Sequence, residues 1–565
     1  MIRIIADNIL SPLGATTAEN LAAVREGRSA LAEHRHEGMP EAFVASLFDT
    51  PLSFEEGLKL GIRAALADAE AKGRPVNPSA ADTLFVVSST KGNIADFEPL
   101  ADSARRVAQH FGNANRPVVV SNACISGLSA LITAKRLLES GEYRTAIVVG
   151  YDVQSKFIVS GFQSFKALAP DPCRPFDGDR CGLNLGEAVA TMVLTVSANE
   201  GGWIMRSGAV NNDANHISNP SRTAEGSLRA IEGALTLKDA DGSQSVIAAD
   251  DLACISAHGT ATLYNDEMEA VAIDRAGLSH VPVFSLKGYY GHTMGAAGLL
   301  ESIITLHAVE EGWIPATRGF EEEGTSRPIN VSGNVREVAL GDDGKPKRKV
   351  LKLLSGFGGC NAAVVFELQD NLSRPTVIDR TEAAGLSADV RVTISSPASL
   401  TELYKELKAK DEANGNYPKF YKMDPLSKLG YIASEMLLEK EAAMTGCERF
   451  TAREDRAVVI CTRHGSLADD LAYQDTISRA DEYFPSPAVF VYTLPNIVTG
   501  EIALRNHYYG ETSCFDNLDN DNMTIERLVR TAFADRRITS VIGGWLDYVD
   551  ADHFSADLAV YHSKE

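Results

Sequence analysis

A chain of 565 residues, 44% hydrophobic and 23% charged, has room for more than one buried core and the balance of a globular protein rather than a disordered or fibrous one. Its formal net charge of −22 argues against nucleic acid or an anionic membrane as partner of the surface as a whole, and no apolar run approaches a membrane span. Eight cysteines, at positions 124, 173, 181, 254, 360, 447, 461 and 514, are scattered without CxxC pairs or zinc-ligand spacing, which predicts free thiols in a reducing cytoplasm.

The opening Met1 to Asp7 breaks its short apolar run with charges and reads as a first strand, not a secretory leader. From Met1 to about Gln369, β-branched runs alternate with helical segments, the pattern of an α/β layered fold. Ser53 to Glu70 reads as a helix that carries Lys59 and Arg63 four apart on one face. That pair could join a basic patch for an acidic protein, although a solvated helix face is the plainer reading. Strands are predicted at Thr83–Ser88, Pro117–Ser121, Thr145–Tyr151, Val189–Thr195, Ala253–Ala257, Val281–Leu286 and Lys349–Leu354. Between the second and third of these, Gly127 to Ser140 gathers Leu128, Leu131, Ile132, Leu137 and Leu138 on one helix face. A polar stretch with Pro375, residues 370–389, reads as a linker between a unit at 1–369 and a second α/β unit at 390–565.

Four motifs sit where these strands end. Cys124 lies in Val118-Val119-Val120-Ser121-Asn122-Ala123-Cys124-Ile125-Ser126-Gly127, a strand turning through small residues into a helix. A thiol at a helix N-terminus is drawn toward the thiolate by the macrodipole and free N–H groups, so Cys124 is a candidate nucleophile, with simple core filling as the alternative. Ser256-Ala257-His258-Gly259-Thr260-Ala261-Thr262 follows another strand, with Asp266 and Glu269 soon after. Lys287-Gly288-Tyr289-Tyr290-Gly291-His292 follows a third. A loop imidazole can donate Nε2–H to a developing oxyanion once its other nitrogen is held, and the Lys287 ammonium could tune His292; a satisfied structural histidine is the alternative for each. Leu354-Ser355-Gly356-Phe357-Gly358-Gly359-Cys360-Asn361 breaks a strand with glycines, reading either as a tight hairpin or as backbone free to approach a ligand, with Phe357 as an apolar gate.

Cys124 in Asn-Ala-Cys-Ile-Ser-Gly, His258 in His-Gly-Thr-Ala-Thr, Lys287 and His292 in Lys-Gly-Tyr-Tyr-Gly-His, and Gly-Phe-Gly-Gly-Cys-Asn together resemble the β-ketoacyl-acyl-carrier-protein synthases in order and approximate spacing. Ser11-Pro12-Leu13-Gly14, Arg174-Pro175-Phe176-Asp177 and Asp213-Ala214-Asn215-His216 extend the likeness over residues 1–369. The resemblance implies a thiolase-like αβαβα sandwich, normally dimeric. It implies that Cys124 takes an acyl group from an acyl carrier protein, with the N–H groups of Cys124 and Phe357 as oxyanion hole. His258 and His292 would hold the thioester oxygen of a malonyl carrier as it loses CO₂, Lys287 would set the electrostatics of His292, and Thr260, Thr262, Phe357 and Gly358 would contact substrate. That chemistry calls for no metal and no cofactor. A homodimer, or a heterodimer with a ketosynthase-like subunit, is implied as well, in fatty-acid, polyketide or aryl-polyene assembly.

The C-terminal unit reads as a diverged copy of the first quarter of the chain. Leu84 to Gly92 matches Ala457 to Gly465, and Ala146 to Asp152 matches Ser540 to Asp547. It resembles a ketosynthase N-terminal half in which Asp519 falls near the cysteine position, and it lacks both histidine motifs, so an inactive half-domain that packs on the catalytic unit or a partner is expected. The first unit lacks the family's usual segment resembling Thr-Leu-Pro-Asn, whereas the C-terminal unit has Tyr492-Thr493-Leu494-Pro495-Asn496. Three alternatives remain: a non-catalytic subunit of the chain-length-factor type, a thiolase acting on CoA esters, and a Cys-His protease, the last leaving the glycine motifs without a role.

Overall fold

The computed structural model describes residues 1–197, 201–238, 243–370, 385–410, 416–478 and 483–564. Apart from a two-residue edge strand at Asn330–Val331, fifteen strands build one continuous main sheet: β1 Ile2–Leu10, β2 Thr83–Ser88, β3 Val118–Val120, β4 Thr145–Gly150, β5 Val189–Val196, β6 Gly202–Asn212, β7 Leu252–Ser256, β8 Pro282–Phe284, β9 Lys349–Gly356, β10 Cys360–Gln369, β11 Leu386–Ser395, β12 Arg456–Thr462, β13 Thr512–Asp516, β14 Ser540–Asp550 and β15 His553–Ser563. They fall into three copies of one five-stranded motif. Each copy has the spatial order first, fifth, fourth, second, third: β1-β5-β4-β2-β3, β6-β10-β9-β7-β8 and β11-β15-β14-β12-β13. In every copy the first two pairings are antiparallel and the last two parallel.

The residue types explain that split. The parallel strand β2 reads Thr-Leu-Phe-Val-Val-Ser and is buried at all six positions, as a strand covered by helices on both faces must be. The outer strand β11 alternates exposed and buried residues, which one solvated face permits.

Helices α1 Phe54–Ala71, α2 Ser126–Glu139, α3 Lys156–Ser164, α4 Ala297–Glu310, α5 Pro425–Thr445 and α6 Pro487–Tyr492 are those the site depends on. The middle layer of the sandwich is the crossing of α2 with α4. A Cβ on Gly127 would lie 2.9 Å from the Gly295 carbonyl oxygen, and one on Gly298 only 2.6 Å from the Leu128 nitrogen, so glycine at the crossing lets two backbones touch. That contact sets the start of α2, where Cys124 sits, beside the loop that carries His292.

The third copy joins the first edge to edge. β13 pairs antiparallel with β3 at Phe515 and Val120, and one apolar cluster runs from Val86, Leu128 and Leu299 through to Phe515, Leu528 and Trp545. Register makes the two copies comparable residue by residue. Ser88 faces Val120 across β2 and β3, and Cys461 faces Phe515 across β12 and β13, so Phe515 is the counterpart of Val120 and Asp519 that of Cys124.

The predicted strands recur with ends moved by a few residues, and Gly127–Ser140 is helical over Ser126–Glu139. The linker prediction at 370–389 falls mostly outside the described residues, and its end is corrected: β11 already begins at Leu386, because its half-exposed alternation hid it among polar residues. Lys59 pairs with Glu55 at 3.0 Å and the exposed Arg63 meets His110 Nε2 at 2.6 Å, contacts of a solvated helix face. Among the described residues no helix is long and apolar enough to cross a membrane.

Candidate functional site

Cys124 occupies a 3₁₀ turn, Ala123–Ile125, between β3 and α2. Ala123 enters it at φ 47°, and Asn122 anchors it: its side chain donates to Thr512 O at 3.3 Å and accepts from the Cys514 N–H at 2.8 Å. The third copy therefore fixes the turn that carries the thiol. Burial pushes the Cys124 thiol up to about 12, with Lys287 pulling it down too weakly to compensate. The expectation that the helix start favours a thiolate is thus overturned. The turn sits ahead of the helix proper, and desolvation in an 8% exposed position outweighs the dipole.

His258 and His292 come from the second copy, on the loops after β7 and β8. The Cys124 sulfur and one ring nitrogen of each histidine lie within 4.8 Å of one another, and the two rings meet edge to face at 5.0 Å. The Met294 N–H donates to His292 Nδ1 at 3.2 Å, so the proton of the neutral ring is on Nε2, a buried atom without a partner among the described residues. Burial, then Lys287, holds both imidazoles well below the usual histidine range, so both are neutral at pH 7.

The loops are held by carboxylates. Glu269 accepts the N–H groups of His258 and Gly259, each at 2.6 Å, and Asp266 accepts those of Phe176 at 2.7 Å and Ala261 at 3.1 Å. Lys287 is ion-paired with Glu301 inside the core, and Lys352 meets the other oxygen of Glu301 at 2.5 Å while donating to the carbonyls of Ser256, Ala257 and Leu353. Two ammonium groups share one carboxylate, and Lys352 also faces the Glu269 carboxylate, so the buried lysines beside the site are matched by buried acids.

The glycine motif forms the hairpin between β9 and β10. A Cβ on Gly356 would lie 3.2 Å from the Cys124 nitrogen, the close approach that glycine allows. The turn is pinned at its tip: the Gly358 N–H donates to Ile217 O at 2.6 Å, and Asn496 Nδ2 donates to Phe357 O at 2.8 Å. Phe357 packs on Phe162 and Phe165 with ring centroids 6.3 and 5.6 Å apart.

A narrow apolar pocket runs from Cys124. Phe162 from α3, Met294 and Phe357 line it together with Phe490, Thr493 and Leu494 of the third copy. Of the predicted substrate contacts, Phe357 lines this pocket; Gly358 instead shapes the hairpin, and Thr260 and Thr262 bond each other at 2.9 Å outside its wall. Glu301, Lys352 and the third copy's Phe490 were not picked out from sequence, whereas Leu494 belongs to the Thr-Leu-Pro-Asn segment that was. The first two had a signal, since Glu301 is the one acid in the first ten residues of α4 and Lys352 interrupts the apolar strand Val350-Leu351-Lys352-Leu353-Leu354.

The models of the β-ketoacyl synthase N-terminal and C-terminal domains match residues 100–199 and 203–321. Nodulation protein E of Rhizobium meliloti (strain 1021) is 30% identical over 301 residues, 50% of this chain and 70% of that protein. The chain belongs to the β-ketoacyl synthase family. It spans 60 to 70% of the length of the nodulation proteins E it matches. Among solved structures, the ishigamide ketosynthase/chain length factor is 25% identical, covers 65% of this chain and 99% of its own, and has a TM-score of 0.56. The PfaC keto synthase-chain length factor superposes over 100% of this chain and 78% of its own with a TM-score of 0.72 at 14% identity, a likeness of fold that includes the third copy. The thiolase-like sandwich is thereby the family's fold, and the third copy extends it.

Proposed function

We propose that the protein is a cytoplasmic 3-oxoacyl-[acyl-carrier-protein] synthase whose residues 1–369 condense and whose residues 390–565 are an inactive half-domain. The observation that carries this reading is the convergence of Cys124 with two neutral imidazoles, one of which, His292, presents an unpaired Nε2–H.

In the first step the Cys124 sulfur attacks the thioester carbonyl of an acyl carrier protein. The N–H groups of Cys124 and Phe357 hold the tetrahedral oxyanion, and collapse gives acyl-Cys124. The proton lost by the Cys124 thiol ends on the departing carrier thiolate, so the exchange is proton-neutral. A malonyl carrier then places its thioester oxygen against His258 and His292. Neutral rings suit this task, because an imidazole that donates Nε2–H stabilises an enolate without first giving up its proton. The bond to the carboxylate breaks, CO₂ leaves, and the electron pair forms the enolate that attacks acyl-Cys124. The products are a 3-oxoacyl carrier two carbons longer and a Cys124 thiolate, which takes one proton from solvent. Lys287 and Lys352, sharing Glu301, favour both anions. Thr260 and Thr262 are assigned to the carrier's pantetheine arm.

The third copy occupies the sheet edge of the first. β3 would be an open sheet edge without it, and β13 covers that edge. A further ketosynthase-like subunit must therefore use another face. Asp519, the counterpart of Cys124, instead lies exposed against Arg116.

Mass spectrometry with acyl and malonyl carrier thioesters tests the reading. An adduct on Cys124 and malonyl-dependent CO₂ release are expected, with release falling about 10²–10⁴-fold in His258→Ala and His292→Ala while acylation persists. Absence of any adduct would assign the chain instead to a supporting subunit, and condensation without CO₂ release would assign it to a thiolase.

A further inference from the structure

The pocket at Cys124 does not run on freely into the join between the first and third copies. Lys91 stands in its wall, and Lys91 also lines a second, polar cleft on the far side, with Thr90, Ser121, Arg463, His464 and Asp516. Pro495 borders that cleft while the preceding Thr493 and Leu494 border the pocket, so a thin partition divides the two.

The partition is an ion pair built from both copies. Lys91 Nζ meets Asp470 Oδ1 at 2.5 Å and Ser466 Oγ at 3.3 Å, and Ser466 Oγ in turn donates to the Thr493 carbonyl. The Lys91 and Asp470 side chains are 4% and 12% exposed. The Lys91 ammonium lies 5.7 Å from the centre of the Phe157 ring, and its backbone N–H is held by Asp152 at 3.2 Å. Beyond the partition the character changes: Thr90 Oγ1, Ser121 Oγ and Asp516 Oδ2 are buried without a hydrogen-bond partner among the described residues.

We infer that the Lys91–Asp470 pair sets the length of the acyl group that Cys124 can carry, closing an apolar pocket that would otherwise open into the polar cleft. An alkyl tail that pushed past would have to part a buried ammonium from its carboxylate and then lie against unpaired polar atoms. The dispersion and burial gained by a few methylenes do not offset that. The substrate class is therefore short, apolar acyl groups, limited by charge where a bulky side chain might have served. This inference rests on the acyl-transfer reading of Cys124.

The test uses the full chain and a series of saturated acyl-carrier thioesters from acetyl to palmitoyl, with the Cys124 adduct read by intact mass. The wild-type chain is expected to take short acyl groups and fall off sharply with length. Lys91→Ala/Asp470→Ala moves that cut-off outward by about four carbons, the methylene stem of the lysine removed. Lys91→Met/Asp470→Leu keeps the volume, avoids an unpaired buried charge, and moves the cut-off by less; it decides the matter if the alanine pair does not fold by thermal melting. A wild-type chain acylated equally at all lengths, or a cut-off unmoved in the folded variants, overturns the inference and leaves the acyl-transfer reading standing. A wild-type chain acylated by none of the series removes both.

Discussion

The first and third copies hold the same turn with the same atoms and then part. In the first, Asp152 accepts the Ser89 hydroxyl and the N–H groups of Thr90 and Lys91; in the third, Asp547 accepts the Thr462 hydroxyl and the N–H groups of Arg463 and His464. Gly92 and Gly465 close the two turns identically, by donating to Ser89 and Thr462. The fourth donor differs. Asp152 takes the Gly295 N–H of the second copy at 2.7 Å, while Asp547 takes the ring of its own His464 at 2.8 Å. One strand further on, the first copy tucks Cys124 into the core, and the third puts Asp519 on the surface, 2.7 Å from Arg116. A buried carboxylate that satisfies backbone donors preserves the fold in both copies, whereas only the first copy has a second copy alongside that sets histidines next to its turn.

The comparison breaks most completely at the nucleophile. Cys124→Ala is expected to abolish acylation by an acyl carrier thioester, and Asp519→Cys in that background not to restore it, as read by intact mass; an adduct at 519 would show that position alone suffices. The same two thiols sharpen the contrast under simple alkylation. With burial holding the Cys124 thiol near 12 against an ordinary 9, its thiolate fraction at pH 8 is about 10³-fold lower. Iodoacetamide labelling of Cys124 should therefore rise about tenfold per pH unit past pH 9, whereas a cysteine at exposed position 519 should level off. Reactivity toward a small alkylator and competence in acyl transfer would then run in opposite order.

A smaller effect is expected at the shared cradle. Asp152→Ala and Asp547→Ala each strand several buried donors and should cost about 3 kcal/mol in urea unfolding, and only Asp152→Ala should also slow CO₂ release, because Gly295 follows the His292 loop. Burial pushes the Asp547 carboxyl up, but His464 and the backbone donors outweigh it and the net direction is down. Its stabilisation is present above the unfolded pKa of about 4 and is lost as pH falls through the depressed folded value, so the Asp547→Ala penalty should shrink in acid. The smallest effect belongs to the exposed pair Arg116–Asp519. Arg116→Ala should change stability by no more than about 1 kcal/mol, and less in high salt.

Much of this was readable from residue order. The strand-to-helix turn at Cys124, the two histidine loops, the glycine hairpin and the duplication, including Asp519 opposite Cys124, are each local patterns of polar or small residues at strand ends. β11 was not, since a half-exposed strand looks polar. The thiolate expectation failed for a related reason: a sequence displays the helix start but not how deeply it is buried.

By itself the sequence determined which polar side chains stand at the strand ends that converge on Cys124, and that a third α/β motif follows the first two. Tertiary structure alone decided what surrounds them. Glu301 neutralising one of two lysines, Asp266 and Glu269 holding the His258 loop, and Lys91 meeting Asp470 all join elements with no common periodicity, the last across 379 positions. Local patterning records which face of an element is buried, but not which distant charge it is buried against.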